Sequence, residues 1–459
     1  MMWWWLGIAL AQPYGWRAHG DAVINDVTPP ETWTTTAVSV ETAAWGNGSP
    51  VPLGTLVCVT EEPTTLACFD RGTGARVWAA TNDWLDTLPA DQVASGREKI
   101  ARAAELEGLV QQRQRDVGDK RRELRRSAGD PAVAAAMKEV QADLERLRAE
   151  QAVLGQFTTP PDLDMIGYAS PTPVVDGTTV YALFGHGVVS AFTDGGERLW
   201  SRWLGPPPRP MTGFDFGSVA SPQLVAGHLI VAHAKLQALD PATGEVRWTG
   251  PAWPHYGTPG VMTIDGVALL LLPDGQVLRA SDGKVLAEGL GDIWYTGPVA
   301  HGTVGYWVGS KGRHGSPGNA RAWAWDLAPL VRGGEPRKLW SGDLPLTERI
   351  YAAPFVDGER LYVVTRQSKL MVLDAATGRE RGDVNLREWI RGTPYTSLTR
   401  VGDELLINSE MGDFGFLSMG DQPALLRVNR VPGPARAMPL FLGSSVWVRN
   451  VDTLMRFDP

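Results

Sequence analysis

Two cysteines, Cys58 and Cys68, are the residues of this 459-residue chain best suited to redox chemistry. They lie symmetrically about Pro63, on two expected strands that are joined by a turn at residues 61–65. Across such a hairpin the thiols face each other, which allows a disulfide in an oxidising compartment if the Cα spacing permits. The alternative is a pair of buried thiols that pack as small apolar groups. Two cysteines exclude a four-cysteine zinc site and a disulfide-dense scaffold.

Other familiar catalytic and metal-binding motifs fall where a structural role is favoured. The seven histidines show neither His-x-His nor His-Glu-x-x-His spacing. Ser281 and Lys284 have the Ser-x-x-Lys spacing of some acyl-transferring enzymes, but they lie in an expected turn. The Gly185–Gly187 turn lacks the following helix that phosphate binding requires. We therefore predict no catalytic residue and no metal ligand, although a ring-shaped fold can gather distant residues without any such spacing.

A repeated turn organises most of the chain. Segments 66–78, 236–248 and 370–378 each place a Gly four residues after an Asp, and degraded copies occupy 189–200 and 277–286. The apolar residues before the Asp predict a strand, the Asp can accept hydrogen bonds from turn amides, and Gly supplies a positive φ. The returning strand then carries a Trp that can cover the junction with a neighbouring unit. The residues assigned to this structural role are Asp70, Gly74, Trp78, Trp200, Asp240, Gly244, Trp248, Asp374 and Gly378.

Upstream of these turns a second unit recurs, with a small residue and Pro, an apolar stretch, a Gly turn and a β-rich strand. Its copies begin at Ser49, Ser170, Ser221, Thr258, Gly297, Ala353, Ser397 and Met438, the last two being weaker. Eight units of four short antiparallel strands predict an all-β fold, an eight-bladed β-propeller. The last unit lacks a fourth strand, and residues 37–44 are expected to supply it and close the ring.

The first gap between units is longer than the others, and its extra residues have helical composition. Residues 133–154 carry apolar positions at alternating steps of four and three, the spacing of a coiled coil. Residues 103–124 supply a looser partner seam, and 127–131 can end one helix and cap the next. We predict an antiparallel α-helical hairpin (a coiled coil) inserted over residues 89–156.

Basic residues gather near the expected tip of this hairpin. They are Lys120, Arg121, Arg122, Arg125 and Arg126. One hypothesis is a contact with an anionic partner or a membrane surface. The alternative is the solvated end of a coiled coil, where mixed charge is ordinary.

The N-terminal residues indicate where the protein is located relative to the cell. Residues 1–11 hold a short apolar run that ends in a small-x-small pattern, which predicts a signal peptide; the alternatives are a mispredicted start and a buried strand. Neither this run nor any later segment reaches transmembrane length, so we expect a periplasmic or secreted protein.

The net charge of −8 argues against general nucleic-acid binding. The predicted organisation is a leader at 1–11, a closing strand and blade 1 at 12–88, the hairpin at 89–156 and blades 2–8 at 157–459.

The pattern Leu-x-x-Leu-Asp-x-x-Thr-Gly-x-x-x-Trp resembles the pyrroloquinoline-quinone (PQQ)-like repeat, over roughly residues 45–80 and 165–458. The stretches at 15–21 and 45–50 are similar to the start of secreted PQQ-like propellers, and the outer-membrane assembly factor BamB is a more distant resemblance. Quinoprotein dehydrogenases with this repeat use a disulfide between adjacent cysteines, a calcium or related metal and a catalytic Asp. This chain has no adjacent cysteine pair, so the resemblance carries over no catalytic residue.

These patterns favour a non-catalytic role without a cofactor. We expect an exported, monomeric propeller that binds or scaffolds a protein or another envelope component. The alternative is an enzyme with a site at the central funnel, such as a divergent quinoprotein dehydrogenase that uses PQQ with calcium. Fold alone does not decide between the two.

Overall fold

The computed structural model describes residues 12–154, 157, 166–205, 219–253, 256–310, 320–345 and 349–459. Within these ranges the chain is mostly β-structure with two long helices. None of the helices in the described ranges is both long and apolar enough to cross a membrane. The predicted leader at residues 1–11 lies outside the described residues, so it stays a prediction.

The repeated turn forms because its Asp side chain binds the loop that follows it. Asp70 Oδ1 accepts hydrogen bonds from the Thr73 backbone N at 2.8 Å and from the Thr73 hydroxyl at 2.9 Å. Gly74 adopts φ +74°, a conformation that is strained for side-chain-bearing residues, and its N donates to Asp70 O at 2.8 Å. Asp240 and Asp374 receive equivalent backbone bonds in their own turns. The same local chemistry therefore joins the third and fourth strands of several sheets.

The described strands form eight sheets, which we number 1 to 8 along the chain. Within a sheet the strands that follow one another in sequence are paired antiparallel. Sheet 1 comprises Val51–Leu53, Leu56–Glu61, Thr65–Asp70 and Arg76–Thr81; sheet 2 Val174–Asp176, Thr179–Leu183, Val188–Thr193 and Arg198–Trp203; sheet 3 Gln223–Val225, His228–Ala232, Lys235–Leu239 and Val246–Ala252; sheet 4 Gly260–Ile264, Val267–Leu271, Val277–Arg279 and Val285–Ala287. Sheet 5 comprises Val299–His301, Val304–Ser310, Ala320–Asp326 and Arg337–Asp343; sheet 6 Phe355–Val356, Arg360–Val364, Lys369–Asp374 and Glu380–Asn385; sheet 7 Thr399–Val401, Glu404–Asn408, Asp413–Ser418 and Leu425–Arg430; sheet 8 Leu440–Leu442, Ser445–Arg449 and Thr453–Phe457.

The N-terminal part of the chain adds a strand to each of the last two sheets. Thr36–Glu41 pairs antiparallel with Thr453–Phe457, so it becomes the fourth strand of sheet 8. Val23–Ile24 pairs parallel with Thr399–Val401 and becomes a fifth strand of sheet 7. The two ends of the chain are thereby joined in one sheet.

An apolar cluster fills the seam between each pair of consecutive sheets, and another lies between sheet 8 and sheet 1. In that last seam Val57 and Phe69 of sheet 1 pack with Trp447 and Leu454 of sheet 8. These side chains are at most 1% exposed. Their removal from water is the main favourable term that holds neighbouring sheets face to face.

Tryptophans on the fourth strands cover these seams at the repeated turns. Trp200 of sheet 2 donates its indole N–H to Pro241 O in the turn of sheet 3, at 2.8 Å. A Cβ on Gly244 would lie 2.5 Å from that indole, so only Gly lets the ring approach so closely. The same bond and contact recur for Trp78 with Asp194 and Gly196, for Trp248 with Ala280 and Gly283, and for Trp340 with Ala375 and Gly378.

Two helices, α1 (Val93–Arg126) and α2 (Pro131–Val153), interrupt the path from sheet 1 to sheet 2. Arg102 near the start of α1 donates to the Glu150 carboxylate near the end of α2, at 2.8 and 3.0 Å. The helices therefore run antiparallel. Their shared apolar cluster contains Leu106, Val110, Leu144 and Leu147. Short 3-10 helices at Trp84–Thr87 and Ala90–Gln92 precede α1, and another lies at Ala328–Arg332.

Candidate functional site

A cavity of about 400 Å³, which we call the central cavity, lies among the starts of the sheets. The first residue of each of the eight repeat units lines it, and seven of these residues are small. These residues are Ser49, Ser170, Ser221, Thr258, Gly297, Ala353, Ser397 and Met438. Because each one precedes the first strand of its sheet, the eight sheets are arranged around this cavity. Its volume is within the range of small-ligand pockets.

A collar of hydrogen bonds joins sheets 8, 1, 2, 3 and 4 along one side of the cavity. Met438 N donates to Ser49 Oγ, Ser49 N to Thr172 Oγ1, Thr172 N to Ser221 Oγ, and Ser221 N to Thr258 Oγ1, all at 3.0 Å. Buried backbone N–H groups require acceptors, and here the neighbouring sheet supplies them. These hydroxyls therefore have a structural role, because they accept hydrogen bonds from the backbone of the neighbouring sheet.

Four tyrosines line the adjoining part of the cavity. Tyr256, Tyr295, Tyr351 and Tyr395 each lie two residues before the small residue of sheets 4 to 7, and we call them the tyrosine arc. Successive ring centroids are 5.9, 5.0 and 5.3 Å apart, the separations of interacting aromatic pairs. Burial raises the pKa of the Tyr295 and Tyr395 hydroxyls, so both are protonated at neutral pH. The arc offers aromatic faces together with hydroxyl donors.

Two arginines that line the cavity lie beside this arc. Arg349 Nη1 donates to the Tyr351 hydroxyl at 3.4 Å, and this bond raises the Arg349 pKa. Arg436 Nε lies 3.8 Å from Glu410 Oε2. Of the described residues that line the cavity, none is Asp or Glu. The described part of the wall thus combines tyrosine rings with arginine side chains.

The N-terminal segment crosses the cavity and brings a third cation. The backbone of Tyr14 pairs with Val175 of sheet 2, and Arg17 Nη1 donates to Pro354 O at the start of sheet 6, at 2.9 Å. Sheets 2 and 6 are four apart in the series of eight, so the segment passes from one side of the cavity to the other. Trp16 and Arg17 face the cavity. Arg17 is only 3% exposed, and burial lowers its pKa to about 10, which leaves it charged at neutral pH.

A buried ion group supports the side of the cavity that lacks tyrosines. Glu62 accepts hydrogen bonds from Tyr168 N at 3.0 Å and Ala169 N at 2.5 Å, just before sheet 2 begins. Arg449 is 1% exposed and donates to Gly48 O at 3.1 Å, just before sheet 1 begins. Burial raises the pKa of Glu62 to about 7, although both backbone bonds and Arg449 act in the opposite direction. This group holds the starts of sheets 1 and 2 in place.

The cysteines lie away from the central cavity. Cys58 and Cys68 are direct partners on adjacent strands of sheet 1, with Cα atoms 4.0 Å apart, and the structure joins their sulfur atoms as a disulfide. Both residues are fully buried. Their position gives them a structural role, in which they link two central strands.

The basic residues predicted as a partner contact lie at the far end of α1. Lys120 pairs with Glu123 at 2.8 Å, and Arg122 pairs with Asp119. The exposed members are Arg121, Arg122, Arg125 and Arg126. The structure thus places this cluster outside the central cavity, and its proposed contact with a partner stays a hypothesis.

The donor set does not fit the calcium that accompanies PQQ in quinoprotein dehydrogenases. Calcium takes six to eight oxygen ligands, among which carboxylates are prominent. The described wall of the cavity contains none, and in the described ranges no three His, Cys, Asp or Glu residues are grouped to hold a metal ion. We derive no reaction step through that cofactor.

The tyrosine arc and the arginines were missed because spacing rules examine neighbours in sequence, whereas this site takes one or two residues from each unit. An alignment of the eight units at the position two before the first residue of each unit would have found the four tyrosines and Arg436. That position reads Asn47, Tyr168, Val219, Tyr256, Tyr295, Tyr351, Tyr395 and Arg436. Four consecutive tyrosines at a position next to the cavity are a signal of function, since a core position would favour aliphatic residues.

Comparisons with known proteins address the fold. A sequence model of the family described as outer membrane protein assembly factor BamB matches residues 139–260 and 321–422. No curated protein sequence matches the chain.

Solved structures align over most of the chain. BamB from Moraxella catarrhalis aligns with a TM-score of 0.52 at 11% identity, covering 93% of this chain and 97% of that chain. The computationally designed Ika8 protein aligns at 0.54 and 12% identity, covering 92% and 99%. A europium-containing methanol dehydrogenase has a TM-score of 0.47 at 9% identity, covering 81% and 73%. The repeated turns, the sheets around one cavity and the match to the BamB family model identify the chain as a PQQ-like β-propeller protein.

Proposed function

We propose that this chain is an exported, non-catalytic, eight-bladed propeller that acts as a monomer and binds a protein partner in the cell envelope. The observation that carries the proposal is the cavity lined by the tyrosine arc together with Arg17, Arg349 and Arg436. Tyr and Arg are enriched at protein interfaces and in their energetic hot spots. The similarity to BamB supports a location in the envelope.

The proposal includes an architecture of eight blades and a coiled-coil hairpin. The eight sheets and the eight apolar seams support the blade count. The buried cluster around Leu144 and Leu147, at the spacing predicted from the sequence, supports a coiled coil. Each blade would then contribute residues to one shared binding face.

The helices lie at the same end of the sheets as the cavity. They belong to the connection from Thr81, the end of sheet 1, to Ser170, which lines the cavity before sheet 2. At their base Trp84 contacts Trp203 at the end of sheet 2, with ring centroids 6.2 Å apart. A partner seated on the cavity would therefore lie next to the helices, and both would form one docking face.

Site-specific photo-crosslinking in cells tests this proposal. A photoreactive residue at Tyr351 in the cavity, or at Arg121 on α1, should give a discrete adduct with another protein. The matched control is Arg332, whose side chain is 76% exposed in the connection between the third and fourth strands of sheet 5, at the opposite end of the sheets. No discrete adduct from the cavity, or the same adducts from Arg332, would contradict the proposal.

A second experiment addresses the dehydrogenase alternative. The purified protein is incubated with PQQ and calcium, and cofactor absorbance and dye-linked alcohol oxidation are measured. We expect no turnover above the rate of PQQ and calcium alone. Turnover that co-purifies with the protein would overturn the non-catalytic assignment.

A further inference from the structure

We propose that the tyrosine arc binds an extended, proline-rich segment of the protein partner, which leaves the central cavity over Met411 and Trp389. This inference rests on the proposed protein-binding function and specifies the chemistry of the segment that enters. The segment is uncharged, adopts the polyproline II conformation and packs its proline rings on the tyrosines.

The arrangement of the rings is the first argument. The four tyrosines are each partly exposed and all line the cavity, so their rings are accessible to a ligand. The rings of Tyr256 and Tyr295 are parallel to within 6°, whereas those of Tyr295 and Tyr351 meet at 75° with centroids 5.0 Å apart. Parallel rings followed by a turned ring form a ridged surface with a corner, which suits a compact, rigid ring such as that of proline. Aromatic-lined grooves are a recurring recognition surface for polyproline II segments.

The length of the arc fits such a segment. From Tyr256 to Tyr395 the ring centroids follow one another at 5.9, 5.0 and 5.3 Å. The arc therefore measures roughly 16 Å along its path, and a polyproline II segment that rises about 3.1 Å per residue spans it with about five residues. The occupant is thus a short stretch of chain rather than a single side chain.

The hydrogen-bonding groups are the second argument. Burial raises the pKa of the Tyr295 hydroxyl, which is protonated at neutral pH and has no hydrogen-bond partner among the described residues. The Tyr351 oxygen accepts a bond from Arg349 Nη1 at 3.4 Å, so its own proton is directed to a further acceptor. Other hydroxyls in the wall, such as those of Thr258 and Thr296, already have partners within the chain.

These donors suit proline better than they suit a carbohydrate. A proline residue offers a carbonyl acceptor and has no N–H, so its burial leaves no backbone donor without an acceptor. A carbohydrate would bring several hydroxyl donors, each of which requires an acceptor in the wall. The match concerns neutral groups and does not depend on the net charge of the cavity.

Exposed apolar residues at the rim of the cavity are the third argument. Burial, and then the charge of Glu410, raises the pKa of Tyr395, so Glu410 lies near the end of the arc. The next residue, Met411, is 48% exposed. A Cβ on Gly392 would lie 2.5 Å from Met411 Cγ, so Met411 packs on the loop that carries Trp389, which is 43% exposed. This surface lies at the cavity end of sheet 7, where a segment that leaves the arc would contact it.

Titration of the full chain with a labelled peptide tests the inference. The probe is fluorescein-GPPAPPAPG amide, and its matched control is fluorescein-GAAAAAAAG amide, which has the same length and charge but lacks proline. Fluorescence polarisation should show at least about tenfold tighter binding of the proline-rich peptide, since it carries the rings and is already extended before it binds. Its affinity should change less than about twofold between low and high salt, because the groups that bind it are uncharged.

Variants locate the binding on the arc and its rim. Tyr295→Phe keeps the ring but removes the donor and should weaken binding of the proline-rich peptide about fivefold. Trp389→Ala should weaken it at least about fivefold. The matched control is Leu426→Ala, at a side chain that is 52% exposed on the fourth strand of sheet 7, which should leave the affinity unchanged. If Tyr295→Phe does not fold, as judged by its melting curve, Trp389→Ala at the exposed rim still decides the result.

Several outcomes would overturn the inference. They are equal affinity for the two peptides, equal affinity of Trp389→Ala and Leu426→Ala for the proline-rich peptide, and displacement of that peptide by cellotetraose as effective as by unlabelled peptide, which would indicate a carbohydrate site. The result is separable from the proposed function. Crosslinks without binding of the proline-rich peptide would reject only this inference, whereas peptide binding without any crosslinked protein in cells would reject the proposed function.

Discussion

At the residue scale, the seams between sheets depend on pairs of Trp and Gly from neighbouring sheets. The turn Gly must adopt positive φ, and it must also lack a Cβ because an indole occupies that space. The indole N–H is satisfied by a carbonyl of the same turn, so the ring is held in one orientation. One short motif thus encodes both a turn and a contact between sheets, which explains part of the high Trp content.

The substitution Trp248→Ala tests this coupling. It removes the ring that packs on Gly283 and the donor to Ala280 O, and leaves a gap in the seam between sheets 3 and 4. We expect a loss of about 2–3 kcal/mol in the free energy of unfolding, below the cost of a fully buried Trp because the residue is only part-buried. Urea unfolding measures this loss in the free energy of unfolding. The control Trp389→Ala removes a ring that is 43% exposed and should change stability by less than about 0.5 kcal/mol.

The turn aspartates predict that the stability of the protein depends on pH. Hydrogen bonds from Arg381 and Thr377 lower the pKa of Asp374 to about 2, below the ordinary value of about 3.9. The stabilisation from this carboxylate is therefore complete above pH 4 and is lost as the pH falls from about 4 to about 2. Asp374→Asn should flatten the dependence of the urea midpoint on pH in that window. Asp343→Asn, at a side chain that is 87% exposed, should leave the slope as in the parent chain.

The link between Cys58 and Cys68 is tested by alkylation and mass spectrometry. We expect no alkylated thiol in the unfolded, unreduced protein and two after reduction, because the disulfide protects both sulfur atoms. The double variant Cys58→Ala, Cys68→Ala should lose about 2–3 kcal/mol of stability, the value for a loop of about ten residues. Two alkylated thiols without reduction would show that the residues are free in the protein.

At the element scale, regular segments could be predicted and irregular ones could not. The heptad spacing of 133–154 anticipates α2 at Pro131–Val153, and the turn pattern anticipates the strands on each side of Asp70. The N-terminal segment has positive φ at Arg17 and Ala18 and no periodicity, so its path across the cavity was missed. The tyrosine arc was missed for a related reason, since each Tyr belongs to a different sheet and only the assembled fold brings them together.

The prediction for the helices concerns the basic residues at the end of α1. Replacing Lys120, Arg121, Arg122, Arg125 and Arg126 with Glu should weaken the crosslink formed from the cavity, because the helices and the cavity share one docking face. Stability should change little, since four of these side chains are exposed. A matched control replaces Lys338 and Arg337 of sheet 5 with Glu, away from that face. An undiminished crosslink would show that the helices' basic end is only a solvated surface.

At the scale of the whole molecule, both ends of the chain hold the series of sheets together. Thr36–Glu41 covers the edge of Thr453–Phe457, which would otherwise present unpaired backbone groups to other molecules. Val38 and Val40 on this strand pack into the seam with sheet 1, next to the turn at Gly74. The strand therefore serves as a lateral cap of sheet 8 and as part of the contact between the last sheet and the first.

The double variant Val38→Lys, Val40→Lys tests closure with the full chain. Two ammonium groups directed at an apolar seam should detach the strand, lower the unfolding free energy by about 2–4 kcal/mol and expose the edge of Thr453–Phe457. Gel filtration should then show association that increases with concentration, as expected for a free strand edge. Ser39→Lys, on the exposed side of the same strand, should retain the parent stability and elution volume. If both variants behave alike, the seam between sheets 8 and 1 does not depend on this strand, and the other members of its apolar cluster, such as Trp447 and Phe69, are enough to close it.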